Sequence, residues 1–144
     1  PISQLLDSIR SGSAATWNSA SELKWLKVSA RVALGQGKTE QAIGILEQVA
    51  EKDPLDGEAL LLAGDGYLRA GQSEKAQLRY EQAARREGFE ADALVKQAQL
   101  LVASRKYDPA IELLRKAQKT RPKENVQRYL ERVEQVARSA SRRS

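Results

Sequence analysis

The chain has 144 residues, a net charge of +5, no cysteine, no histidine and only 5% aromatic side chains. Without Cys or His it holds no disulfide, zinc–thiolate site, thiol nucleophile or imidazole base. Its length allows one domain with a sizeable core, its wealth of Ala, Leu, Glu, Gln, Lys and Arg favours helix, and no apolar run approaches the roughly 18 residues of a membrane span.

The chain opens on Pro1, with neither initiator Met nor signal-peptide pattern, as expected of a fragment cut from a longer protein. Residues 1–22 read as an N-terminal amphipathic helix and linker, with Ile2, Leu5, Leu6 and Ile9 on one helical face, a Ser11-Gly12-Ser13 break and then Trp17. That stripe is expected to cover Trp25 and Val32, in the same molecule or in a neighbour. From Leu23 onward a period of 34 residues takes over: Gly37, Gly71 and Arg105; Ala42, Ala76 and Ala110; Leu46, Tyr80 and Leu114; Pro54, Gly88 and Pro122. A fixed period of this size signals stacked copies of one supersecondary unit, here residues 23–56, 57–90 and 91–124.

Within each copy two apolar-periodic stretches flank a turn, at Gly35-Gln36-Gly37, Ala70-Gly71-Gln72 and Ser104-Arg105-Lys106. Thr39 and Ser73 stand where an N-cap oxygen is useful. Asp108-Pro109 offers a capping carboxylate followed by proline at the first helical position. Pro54 and Pro122 are expected to close the second helices. Residues 125–138 carry Val126, Tyr129, Leu130, Val133 and Val136 on one stripe, out of step with the repeats, as a terminal capping helix would. Residues 139–144, polar and without apolar anchors, are expected to be disordered. Charge is uneven: residues 1–104 carry 12 basic and 14 acidic side chains, and residues 105–144 carry 12 and 5.

This pattern resembles the tetratricopeptide repeat (TPR). The second copy is nearest to it, with Leu60, Ala63-Gly64, Tyr67, Gly71, Ala76, Tyr80 and Ala83, while the others have Ala30 and Ala98 for the small glycine and Ala33 and Leu101 for the tyrosine. The resemblance implies an all-α, right-handed superhelical solenoid of three helix pairs, with flanking helices and a concave groove lined by the first helix of each pair. The implied peptide-binding residues are Lys24, Lys27 and Arg31; Leu61, Leu62, Asp65 and Leu68; and Val95, Lys96, Gln99 and Val102. Leu61, Leu62, Leu68, Val95 and Val102 are surplus to the expected core and would make an apolar floor with a basic end at Lys24, Lys27 and Arg31. A terminal helix folded back over part of this floor is the competing arrangement. One TPR subclass grips acidic C-terminal tails with a Lys and Asn clamp. Lys27 and Lys96 match it, but Arg31, Leu62 and Asp92 depart, which argues against that use.

Signals of chemistry are weak. Gly37-Lys38-Thr39 ends like a phosphate-binding loop, yet Val32 stands where the first glycine is required, so a turn and a helix start are expected. Asp53, Asp56 and Asp65 lack EF-hand spacing and read as caps and surface charges. No acid/base dyad stands out. The expectation is therefore a non-catalytic scaffold without cofactor or metal, binding a protein or peptide partner, in a larger bacterial assembly by family analogy. Polyanion or nucleic-acid binding through the basic C-terminal region, and self-association through the N-terminal stripe, are the alternatives. A monomer or weak homo-oligomer is expected, and absent cysteine suits cytoplasm and bacterial periplasm alike.

Overall fold

The computed structural model describes residues 2–3 and 19–143, and among them residues 19–143 form seven helices and no strand. These are α1 (Ser19–Gly35), α2 (Thr39–Lys52), α3 (Gly57–Arg69), α4 (Ser73–Ala84), α5 (Glu90–Ala103), α6 (Tyr107–Thr120) and α7 (Glu124–Arg143). The chain forms two compact units, Pro1–Ala76 and Gln77–Ser144, with the boundary inside α4.

The 34-residue ladder has a backbone cause. Gly37, Gly71 and Arg105 all adopt left-handed φ angles, of 77°, 78° and 61°. Each stands one residue past the cap of the preceding helix and completes the same pair of bonds. Lys38 N donates to Ala33 O at 2.8 Å and Gly37 N to Leu34 O at 3.1 Å; Gln72 and Gly71 do the same to Tyr67 and Leu68, and Lys106 and Arg105 to Leu101 and Val102. This doubled closure satisfies carbonyls that a helix end leaves open, and turns the chain sharply into the next helix. The apparent phosphate-loop triplet Gly37-Lys38-Thr39 is thus the turn into α2.

The helix starts differ from expectation in detail. Thr39 is the first residue of α2, and the Lys38 before it makes no side-chain cap bond. Likewise α6 starts at Tyr107 after an uncapped Lys106, so Pro109 is third in the helix. Both shifts are tolerated because first-turn N–H groups have no intrahelical partner to lose. A side-chain cap does form at Asp56, whose Oδ1 accepts from Ala59 N at 3.0 Å and opens α3. Pro54 and Pro122 each follow a second helix by two residues, whereas Gly88, their counterpart in the middle copy, has φ 84°, which proline cannot adopt.

In the first unit Leu26, Ala30, Leu46, Val49, Ala59 and Ala63 make one buried cluster, and Ala33, Leu34 and Ala42 make a second. The helices approach closely because the contact residues are small. A methyl group added at Gly66 of α3 would come within 2.9 Å of Ile43 Cγ1 on α2. In the second unit Ala98, Ala110, Ile111 and Leu114 pack with Val126, Leu130 and Val133 of α7. Ala91, Leu94 and Ala117 form a companion cluster. The tail expected to be disordered from Ser139 is helical through Arg143. Ala and Arg are strong helix formers, and Arg142 and Arg143 oppose the negative end of the helix dipole, so no apolar anchor is needed there.

Candidate functional site

The residues implied as a peptide-binding surface lie on α1, α3 and α5. In the first unit Lys24 is exposed, Leu61 and Asp65 are half-buried, and Leu68 is 42% exposed. Val28, on the same helix as Lys24, is 41% exposed. Lys27 and Arg31 are not free cations. Lys27 Nζ lies 2.8 Å from Asp56 Oδ2, the carboxylate that also caps α3, with the two side chains only 19% and 10% exposed. Arg31 pairs with Glu58 at the start of α3, but there the side chains are 50% and 36% exposed. An exposed pair of this kind contributes about 0–1 kcal/mol and opens readily, whereas the sheltered Lys27–Asp56 pair also holds a helix end. Of the three cations expected at a basic end, Lys24 is exposed, Arg31 is held in a loose pair and Lys27 in a sheltered one.

Three of the residues expected to form an apolar floor pack against the buried clusters instead. Leu62 packs against both buried clusters of the first unit. In the second unit Val95 packs against both clusters there, and Val102 packs against the one to which α7 contributes. These three are not surplus to the core; they form its margin. Each first helix presses on neighbours along two sides, so its apolar stripe must be wider than a single seam. Lys96 is half-buried and engaged in a polar or electrostatic contact, and Gln99 is exposed. Asp92 is paired with Lys123 at 3.1 Å.

The N-terminal face of the first unit holds a cavity of about 100 Å³ lined by Ser3, Trp25, Ser29, Val32 and Ile45 among others. Ser29 Oγ is buried there with no hydrogen-bond partner among the described residues. Ser3 thus reaches the face that the N-terminal stripe was expected to cover; Leu5, Leu6, Ile9 and Trp17 lie outside the described residues. On α7, burial pushes the Tyr129 hydroxyl above its ordinary pKa, with the nearby Arg132 guanidinium pulling the other way. No group of three or more Asp or Glu side chains is placed to hold a metal ion among the described residues. No helix among them is long and apolar enough to cross a membrane.

Helices repeated with a 34-residue period, joined by one recurring left-handed turn, define a helical repeat protein. Family models described as tetratricopeptide repeat match residues 33–97 and 92–123, and the chain belongs to the TPR family. Solved structures agree on the fold. The Yersinia enterocolitica type III secretion chaperone SycD, in complex with a peptide of the translocator YopD, superposes with a TM-score of 0.71 at 22% identity, covering 88% of this chain and 98% of that one. The Sgt2 TPR domain from Aspergillus fumigatus gives 0.73 at 22% identity, with 84% and 82% covered. The first TPR of Spaghetti, bound to an HSP90 peptide, gives 0.71 at 17% identity, with 79% and 91% covered. A comparison with curated protein sequences gave no match.

Proposed function

We propose that this chain is a non-catalytic interaction module that binds a partner peptide or helix on an inner face formed by α1 and α3 of its first unit, within a larger assembly. The supporting observation is that α1 and α3 of the first unit leave apolar side chains exposed, Val28 at 41% and Leu68 at 42%, with Lys24 also exposed on α1. They stand on helices already held by small-residue packing beneath them, so their exposure is not needed for folding. Membership of a family whose resemblance implies peptide binding adds to this, as do the peptides bound by two of the structurally similar domains. Apolar burial at about 25 cal/mol per Å² would supply most of the affinity, and Lys24 with the opening Arg31–Glu58 pair would orient acidic groups.

Polyanion binding through the C-terminal region has less support. Glu112, Glu124, Glu131 and Glu134 interrupt the basic stretch with negative charge.

A displayed random-peptide library selected on the full chain tests the proposal. Selected peptides should lose at least tenfold in affinity, about 1.4 kcal/mol, on Leu68→Asp or Val28→Asp, with the melting temperature unchanged. Peptides that bind both variants as well as the parent would place the site elsewhere.

A further inference from the structure

We propose that the groove beside the C-terminal half of α7 docks an acidic amphipathic helix of a partner protein. Val133 is the last buried residue of α7 and Ala137 the last to pack at the core margin, yet the helix continues to Arg143. Along one flank of this extension lies an open groove of about 870 Å³ whose lining includes Arg105, Tyr107, Arg132, Val136, Ala140 and Arg143. Arg132 and Arg143 lie three turns apart on one face of α7, a separation of about 16 Å at the helical rise.

Three observations specify the occupant. The first is charge. The lining contains three guanidinium groups and no carboxylate. None of the three has a carboxylate partner among the described residues, whereas Arg115 and Arg128 do. Arg132 instead lies over the Tyr129 ring, 5.8 Å from its centroid. The acidic residues Asp108 and Glu134 line a separate groove on the opposite flank of α7.

The second is apolar surface. Val136 sits 46% exposed among the arginines, and Ala140 leaves room for a helix to come close. A bare polyanion would leave Val136 and the Tyr107 ring without a match; a helix with an apolar stripe edged by Glu or Asp satisfies both. The third is strain. At the turn position where the other two copies have glycine, the chain places Arg105 at φ 61°. A left-handed non-glycine residue is a cost that a functional side chain can justify.

Fluorescence anisotropy with the full chain tests this, using a labelled helical peptide with Leu on one face flanked by Glu, and a counterpart with Lys for Glu. Measurements belong at about 150 mM salt, where long-range attraction is screened. The acidic peptide should bind and its counterpart should not. Arg132→Glu with Arg143→Glu, and separately Val136→Asp, should each weaken binding at least tenfold while helicity and melting temperature hold. The proposal fails if the acidic peptide does not bind or ignores these substitutions. It also fails if binding is lost on Leu68→Asp instead, which would move the peptide to the inner face. Displacement of the peptide by duplex DNA at equal affinity would make the groove a polyanion surface, and a concentration-dependent dimer abolished by Val136→Asp would make it a seat for a second copy. Either result overturns the acidic-helix assignment and leaves the inner-face proposal standing.

Discussion

At Arg105 the backbone carries a penalty that Gly37 and Gly71 avoid. A left-handed L-residue costs roughly 1–2 kcal/mol, and glycine returns part of that through its own greater loss of entropy. Arg105→Gly should therefore stabilise the chain by about 0.5–1 kcal/mol in urea titration, while weakening the acidic-peptide binding inferred above. A destabilised Arg105→Gly would mean that the guanidinium holds the fold and is not a spare cation. The turn at this position was legible from the sequence, because Gly37, Gly71 and Arg105 share one rung of the period, but its left-handed backbone was not. The pairing of Lys27 with Asp56 was not legible. It joins residues 29 apart and depends on how α1 lies against α3, which composition and period do not encode.

At the scale of one helix, α2 separates packing from propensity. Ala42 is fully buried against Ala33 and Leu34, whereas a methyl group at Gly44 would meet nothing within 4 Å. Ala42→Leu should cost about 1–3 kcal/mol through overpacking. Gly44→Ala should add about 0.5–1 kcal/mol, since a mid-helix glycine carries the larger entropy loss. Chemical denaturation of the two variants checks both signs at once; a neutral Ala42→Leu would overturn the close helix approach described for the first unit. The helices themselves could be read from the ladder of alanines and leucines, but their starts could not. Thr39 looks like a cap, yet the left-handed turn at Gly37 delivers the chain into the helix one residue early, leaving Lys38 in the cap position. The wide stripe misled in the same way, since Leu62, Val95 and Val102 fit a groove or a core margin equally well until the neighbouring helices are in place.

Across the molecule, a repeat protein must close its last exposed core face, and α7 does so for the second unit. Val126, Leu130 and Val133 bury themselves against Ala98, Ala110, Ile111 and Leu114. At about 1.5–3 kcal/mol for each buried aliphatic side chain, the three supply about 4.5–9 kcal/mol. A domain has only about 5–15 kcal/mol in total. A chain ending at Pro122 should therefore lose most of its stability, with a melting temperature lower by roughly 10 °C or more and dye binding to newly exposed apolar surface. A chain ending at Arg138 keeps all three buried residues and should melt within about 2 °C of the full chain, because the removed turn contributes little apolar burial. That second truncation also removes Arg143 and part of the flanking groove, so it should bind the acidic helical peptide less tightly than the full chain does. Equal stability of the two truncations, measured by circular dichroism on heating, would show that α7 is an appendage and that the core of the second unit closes without it.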